Sequence, residues 1–132
     1  MTQCPCGSGK SFQTCCNPYL KGEKVAETIE KLVRSRYVAY VYCDFDYIEK
    51  TMRMGDSSIY DRKTAESFSK DIKWLKLSIL KTEEKEIHGS AEFIFSYQHH
   101  GQTSSSREVS QFEKIDGRWV YLGGQLTFAQ NS

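Results

Sequence analysis

Four of the five cysteines lie within a short segment near the start of the sequence. They are Cys4, Cys6, Cys15 and Cys16. Four thiolates match the tetrahedral, sulfur-rich coordination of structural zinc, and a segment this short has too little apolar area to fold alone. Gly7 and Gly9 allow the backbone to fold back so that the two cysteine pairs meet. We therefore predict one structural zinc ion on these four cysteines, with Lys10 beside them offsetting the negative charge.

Other chemistries of the cysteine segment fit less well. Reduced thiols or two disulfides remain alternatives, and so does an iron-sulfur cluster, although adjacent Cys15 and Cys16 do not match the common cluster spacings. A closed four-ligand shell leaves no open position for catalysis. The run from Gly7 to Ser11 looks like the end of a phosphate-binding loop, but Cys4 stands where that loop requires its first glycine. We reject nucleotide binding there.

Composition limits the remaining classes of function. The chain has 132 residues, 39% hydrophobic and 27% charged, which is typical of one globular domain with a short appendage and excludes a multidomain enzyme. A formal charge of +1 gives no global attraction to nucleic acid or anionic lipid. The longest apolar run, residues 37–43, is far below the roughly 20 residues that span a bilayer. We predict a cytoplasmic protein with reduced thiols and no membrane insertion.

Helical periodicity begins after a connector near residue 20. Apolar residues between positions 25 and 43 recur at steps of three and four, which predicts one amphipathic helix over this range. Asp44 and Asp61 are the predicted caps of a second, shorter helix and of a third helix that ends near Trp74. Cys43 falls on the apolar face of the first helix, so we predict a buried structural thiol there.

After Trp74 the apolar period changes to two, which predicts four strands. They lie near residues 75–79, 91–97, 107–115 and 118–128. Asp116 and Gly117 are a strong signal for a tight hairpin, whereas Gly101 and the serines at 104–106 predict a looser turn. Three helices followed by antiparallel strands predict an α+β fold in which a curved sheet wraps over the helices and leaves a concave pocket.

Arg36 is the most informative charged residue of the predicted body. It lies in the middle of the apolar face of the first helix, so its side chain should point inward. An inward arginine needs partners, because breaking a buried charge pair costs about 3–5 kcal/mol. Two interpretations stay open: a structural ion pair with Asp44, Asp46 or Glu92, or a clamp for an anionic ligand in the pocket.

Aromatic and polar residues of the predicted strands extend this candidate pocket. Glu92 and Arg107 could supply an acid-base group and an anion clamp if both point into it. The aromatic residues could form apolar walls, although core packing is the alternative for each of them. The candidate pocket residues are Arg36, Tyr40, Trp74, Glu92, Arg107 and Trp119. No catalytic residue is assigned among them.

The cysteine segment also resembles a known motif. Cys4-Pro5-Cys6-Gly7-Ser8-Gly9-Lys10 followed by Cys15-Cys16 closely resembles the SEC-C motif. At the C-terminus of the preprotein-translocase ATPase SecA, the four equivalent positions of this motif bind zinc and present a surface to the chaperone SecB and to ribosomes. The resemblance therefore implies zinc and a role in protein contact.

The body resembles one bacterial family. The matching residues are Arg34-Ser35-Arg36-Tyr37-Val38-Ala39-Tyr40, Trp74, Ala91-Glu92-Phe93 and Asp116-Gly117-Arg118-Trp119. They look like the YchJ family, whose body has the nuclear-transport-factor-2-like cone fold. This resemblance implies a SEC-C zinc knuckle over residues 1–20 and a nuclear-transport-factor-2-like domain over residues 21–132, with three helices packed in a curved sheet.

Two functions follow as expectations. In the first, the knuckle docks on a protein partner through exposed Lys10, Phe12, Gln13 and Tyr19, as a chaperone-, translocation- or ribosome-associated module. In the second, the body binds a small molecule or acts as an enzyme through its pocket, which the fold permits but does not imply. Nucleic-acid binding is not favoured, because acidic residues dilute the lysines near the knuckle.

Overall fold

Short helices precede one antiparallel sheet in this computed structural model, which describes residues 2–53 and 60–128, with side chains to residue 125. The helices are α1 (Asn17–Leu20), α2 (Ile29–Val41), α3 (Phe45–Lys50) and α4 (Arg62–Lys70). The strands are β1 (Ile72–Lys85), β2 (His88–His99), β3 (Gln102–Ile115) and β4 (Arg118–Phe128). Their order in the sheet is β1-β2-β3-β4, which confirms the predicted α+β class.

Helix α2 is shorter at both ends than predicted. It begins after Thr28, whose hydroxyl accepts the backbone N–H of Lys31 at 3.2 Å, an N-cap that the apolar periodicity does not report. Val25 lies before the helix and is 55% exposed. After the helix the chain turns at Cys43, which has φ of 59° and is exposed. The prediction of a buried Cys43 thiol was therefore wrong, because the helix ends before that position.

The caps of the two following helices are as predicted. Asp44 accepts the N–H of Tyr47 at 3.1 Å, and Asp61 accepts the N–H of Thr64 at 3.0 Å. Helix α4 ends at Lys70, however, and Trp74 lies inside β1 instead of near a helix end. Helix α1 was not predicted, because its four residues are too few to show a period.

Two-residue turns join all four strands of the sheet. Asp116 and Gly117 have φ of 52° and 79°, so they form the tight turn that their types predict. His100 and Gly101 have φ of 50° and 81° and form an equally tight turn. The looser turn predicted over residues 101–106 was wrong, since residues 104–106 already pair within β3.

The core lies between α2 and the inner face of the sheet. Ile29, Leu32 and Val38 of α2 are fully buried, and Phe112 and Trp119 are 2% exposed. Three of the cysteines belong to the same cluster of buried residues, so the knuckle packs onto the body and shares its core. No helix of the described residues has the length and apolar character needed to cross a bilayer.

Candidate functional site

The backbone of the cysteine segment folds back on itself. The N–H of Cys4 donates to the carbonyl of Lys10 at 2.8 Å, and the N–H of Gly7 donates to the carbonyl of Cys4 at 3.2 Å. Gly7 and Gly9 have φ of 83° and 84°, a region that favours glycine. The loop thereby returns the chain toward α1, whose N-cap is Cys16.

The four sulfurs of this segment form a compact group. Cys15 Sγ lies 3.7 Å from Cys6 Sγ and 3.9 Å from Cys16 Sγ, and all four Sγ atoms lie within 4.8 Å of one another. Zinc with Zn–S bonds of about 2.3 Å in a tetrahedron places its sulfurs about 3.8 Å apart. The group therefore fits one zinc ion. Every cysteine is free, and these separations far exceed a disulfide bond of about 2.05 Å.

Burial and mutual hydrogen bonds set the protonation of these thiols. The hydrogen bond with the Cys16 thiol lowers the pKa of Cys6 and raises the pKa of Cys16. Burial raises the pKa of Cys4. Four thiolates would not coexist here without a cation, so metal binding must release protons.

Arg34 is the basic side chain that reaches the cysteine group. Its Nη1 donates to the carbonyl of Cys6 at 2.8 Å, and its Nε donates to Glu30 at 3.0 Å. The backbone carbonyl of Lys10 holds the loop, while its side chain is exposed. Sequence reasoning missed Arg34, because a contact 28 residues from Cys6 leaves no local spacing signal.

The surface of the knuckle differs in part from the prediction. Lys10 and Gln13 are exposed, as expected. Tyr19 is only 6% exposed, so its predicted place on a docking surface was wrong: α1 turns it into the core. Phe12 is partly buried, and its ring meets that of Tyr42 edge-on with centroids 5.1 Å apart.

A second candidate site is a cavity of about 720 Å³ between α2, α4 and the inner face of the sheet. Aromatic side chains form most of its wall. They are Tyr37, Tyr40, Tyr60, Phe68, Trp74, Phe93, Phe95, Tyr97, Phe112 and Tyr121. Trp74 is at the centre of this group, with ring centroids 5.8 Å from Tyr37 and 5.8 Å from Phe95. The predicted pocket residues Tyr40 and Trp74 thus line the cavity.

Arg36 also lines the cavity and is 8% exposed. Its Nη1 donates to the carbonyl of Ile48 at 2.9 Å and to Thr51 Oγ1 at 2.8 Å. Its Cζ lies 4.4 Å from the centroid of the Tyr121 ring. The backbone N–H of Tyr121 donates to the carbonyl of Thr51 at 2.8 Å and holds these contacts together.

The predicted ion pair of Arg36 is absent from the described part of the chain. None of the carboxylates at Asp44, Asp46 and Glu92 lies within 4.0 Å of it. Asp44 is occupied as the cap of α3, Asp46 pairs with Arg62, and Glu92 lies on the other face of the sheet. The interpretation as a structural ion pair with these residues was wrong.

Glu108 is the acidic group on the sheet side of the cavity, and sequence reasoning missed it. Its Oε2 accepts the hydroxyl of Tyr121 at 2.9 Å and the hydroxyl of Ser110. Gly124 on β4 leaves room for the Glu108 carboxylate, because a Cβ at position 124 would lie 2.5 Å from Glu108 Oε2. Burial, with a smaller effect of Glu108, raises the pKa of Tyr121 above its ordinary range.

Glu92 and Arg107 do not reach the cavity. Both side chains lie on the outer face of the sheet, where they form an ion pair with each other. Trp119 is 2% exposed and packs in the core beside Gly89. The predicted pocket roles of Glu92 and Arg107 were wrong, because a period of two does not tell which of the two alternating sets faces inward. Trp119 does face inward, but it packs in the core and does not line the cavity, so its predicted pocket role was wrong as well.

Comparisons with known proteins match both parts of the chain. A family model described as YchJ, middle NTF2-like domain, matches residues 28–124, and a SEC-C motif model matches residues 2–18. A UPF0225 protein of Geobacter sulfurreducens is 36% identical over 92% of this chain and 77% of its own length. One from Deinococcus radiodurans is 42% identical over 90% of this chain and 85% of its own length.

A solved structure also resembles this fold. The solution structure of a SEC-C motif containing protein from Rhodopseudomonas palustris superposes with a TM-score of 0.86 at 37% identity. The match covers 94% of this chain and 98% of that one. The arrangement of a cysteine segment on an α+β body is therefore shared by a related protein.

Proposed function

The chain belongs to the YchJ family of UPF0225 proteins, with a SEC-C motif ahead of an NTF2-like domain, and from this premise we propose that it is a zinc-stabilised protein that binds a small organic ligand in its cavity. The observation that carries the proposal is the cavity of about 720 Å³ with aromatic walls and a buried arginine. An apolar cavity with a few converging polar groups is the usual composition of a ligand site.

The cysteine group supports a structural role for zinc within this function. Its sulfur spacing suits a closed tetrahedral site, and such a site has no open position for substrate. Because Cys4, Cys6 and Cys16 pack in the same core as α2, bound zinc would hold the helix that carries Arg36. In this proposal zinc stabilises the scaffold, and binding takes place in the body.

Neighbouring serines on β3 provide a matched test of ligand binding. Ser106 is 2% exposed and lines the cavity, whereas Ser105 faces outward and hydrogen-bonds Ser96 at 3.0 Å. We expect the neutral fluorophore phenylnaphthylamine to bind the wild type. Ser106→Phe should place a ring inside the cavity, obstruct it and weaken binding by about tenfold or more, while Ser105→Phe should leave binding within about twofold.

Fluorescence titration measures this difference, and thermal melting of both variants shows whether they stay folded. Equal binding by the wild type and a folded Ser106→Phe variant would place the fluorophore elsewhere and contradict the cavity as the site. Native mass spectrometry adds an independent readout, because a small molecule retained from the expression host would add its mass to the folded protein and vanish on denaturation.

A second candidate function is protein docking through the knuckle. The observation that favours it is an exposed surface of Lys10 and Gln13 beside the Phe12–Tyr42 pair, in which Tyr42 is 49% exposed. Aromatic residues at the surface are enriched in protein interfaces. The SEC-C resemblance makes ribosomes and the chaperone SecB the first partners to test.

The docking test uses surface variants that keep every cysteine. Lys10→Glu combined with Tyr42→Ala should reduce co-sedimentation with purified ribosomes, or binding to purified SecB, by about tenfold. Lys63→Glu, at an exposed position of α4, is the control. No binding of the wild type to either partner would reject both as partners, and unchanged binding of the double variant would move the interface away from the knuckle.

A further inference from the structure

We propose that the cavity binds a small aromatic carboxylate, whose carboxylate group accepts hydrogen bonds from Arg36 and whose hydroxyl or amino group donates to Glu108. This inference rests on the proposed function, because it names the class of ligand for the same cavity. Three features carry it: the unneutralised Arg36, the charges of the cavity lining, and the free acceptor of Glu108.

The first feature is the charge of Arg36. Arg36 as a whole residue is 8% exposed and lines the cavity, yet no carboxylate of the described residues lies within 4.0 Å of its guanidinium. Its two hydrogen bonds both use Nη1 and go to neutral oxygens, while Nε and Nη2 meet no acceptor in the described ranges. Buried charges are normally paired, so an anion entering the cavity would supply what this arginine lacks.

The guanidinium is also fixed before a ligand arrives. The carbonyl of Ile48 and the hydroxyl of Thr51 hold one edge, and the Tyr121 ring lies under its plane at 4.4 Å. The Nε–Nη2 edge of an arginine presents two parallel N–H donors, which match the two oxygens of a carboxylate. A preorganised fork of this kind favours a planar anion in one orientation.

The second feature limits the charge of the ligand. Arg36 is the one cation among the described residues that line the cavity, and the lining also includes the acids Glu108 and Asp61. A phosphate with two negative charges would be left partly unneutralised between these acids. The three charged side chains give the lining a net formal charge of −1, so a carboxylate with one negative charge meets less repulsion there than a phosphate with two, and Arg36 alone offsets its charge.

The third feature is the unused oxygen of Glu108. The hydroxyls of Tyr121 and Ser110 both donate to Oε2, and no donor of the described residues reaches Oε1. The Tyr121 ring therefore touches Arg36 with its face and Glu108 with its hydroxyl. A ligand that spans the two groups needs an anion at one end, a donor at the other and a flat apolar centre against the aromatic wall.

Competition against phenylnaphthylamine tests the ligand class on the wild-type protein. The competitors are para-hydroxybenzoate, its uncharged amide para-hydroxybenzamide, and benzoate, which lacks the donor. We expect para-hydroxybenzoate to bind at least about tenfold more tightly than its amide, since hydrogen bonds to charged groups exceed neutral ones by that order. Benzoate should bind more weakly than para-hydroxybenzoate.

Variants assign the two ends of the ligand. Arg36→Met should remove the preference for the carboxylate over the amide, while phenylnaphthylamine still binds. Arg118→Met, at an exposed position outside the cavity, should keep this preference. Glu108→Gln should remove the advantage of the para-hydroxyl group over unsubstituted benzoate. Arg36→Lys keeps a positive charge and serves if the methionine variant fails to fold, with partial loss of the preference expected.

The outcomes separate the two proposals. If phenylnaphthylamine binds in the cavity but the carboxylate and its amide compete equally, the ligand class is wrong and the cavity remains a binding site. If a folded Arg36→Met variant keeps the full preference, Arg36 is not the carboxylate site. If the fluorophore does not bind the wild-type protein and no competitor alters the melting temperature of that protein, the proposed ligand-binding function and the proposed ligand class both fail.

Discussion

At the scale of single residues, Cys15 and Cys43 differ in whether their thiols can bind the predicted metal ion. Cys15 belongs to the group of four sulfurs, while Cys43 is exposed at the end of α2. We expect one zinc per chain in native mass spectra of the wild type and of Cys43→Ser, and its loss or weak retention in Cys15→Ser. A wild-type mass four protons short with no zinc would contradict the metal site and indicate two disulfides.

Buried tyrosines make the free energy of unfolding decrease at alkaline pH. Burial raises the pKa values of Tyr37 and Tyr47 to about 12. A folded pKa above the unfolded value of about 10 means that the neutral form is favoured on folding. This contribution to the free energy of unfolding is fully present below pH 10 and is lost as the pH rises from 10 towards 12.

Absorbance at the tyrosinate band, followed against pH, measures this effect. We expect several tyrosines of the folded protein to ionise later than the same tyrosines in denaturant. Tyr47→Phe should remove one late-ionising group and cost about 1 kcal/mol at neutral pH, because Ser35 loses a 2.7 Å hydrogen bond but keeps its bond to the Leu32 carbonyl. Coincident titrations in both states would contradict the prediction.

The residues of the site were predictable to different degrees. The four cysteines stand out because their spacing is local, and the inward position of Arg36 follows from helix geometry. Glu108 and Arg107 are adjacent on β3, and the sequence pattern of this strand does not distinguish an inward glutamate from an inward arginine. The choice depends on the register with β2 and on the space at Gly124, both of which are set by tertiary packing.

At the scale of elements, the contact between α2 and β2 depends on a glycine. A Cβ at Gly89 would lie 2.3 Å from Ile29 Cδ1 and 2.5 Å from the carbonyl of Glu83. Gly89→Ala should therefore destabilise the fold by about 1–3 kcal/mol through overpacking. Ser90→Ala on the other face should change the free energy of unfolding by about 0.5 kcal/mol or less.

Denaturant unfolding of the two variants compares these costs. Equal midpoints for Gly89→Ala and Ser90→Ala would mean that α2 can move away from the sheet at no cost, which contradicts the close packing of this contact. A shift confined to Gly89→Ala supports it. Circular dichroism at the start of each titration checks that both variants keep their secondary structure.

The helices and strands themselves could be predicted better than their ends. Capping aspartates located the starts of α3 and α4, and the pair Asp116-Gly117 located a turn. The end of α4 was missed because Ile72 fits a step of four from Phe68 and a step of two to Trp74. Apolar spacing alone does not separate these periods where a helix runs directly into a strand.

At the scale of the whole molecule, the knuckle and the body share one buried cluster. Cys4, Cys6 and Cys16 pack with residues of α2 and β1, including Leu32 and Leu77. We expect removal of zinc by a strong chelator to lower the melting temperature of the whole chain, in one transition, by about 5 °C or more. Scanning calorimetry before and after chelation measures both the shift and the number of transitions.

An unchanged main transition after chelation would contradict this coupling. It would show that residues 1–20 and 21–132, the two domains expected from the sequence, unfold as separate units. Hydrogen exchange provides the matching local measurement, because loss of zinc should reduce amide protection in α2 before it reduces protection in β3. Cys43→Ser, treated with the same chelator, controls for modification of the exposed thiol.

The two-residue turns of the sheet also bear on how the chain folds. Each strand pairs with its neighbour in sequence. The short turn that joins each pair closes with only a small loss of chain entropy. Such a meander has a lower contact order than a Greek-key sheet of the same size, and strand pairing need not limit the folding rate. We therefore expect the slow step of folding to be the formation of contacts across long stretches of chain, where α2 and the cysteine loop dock on the sheet.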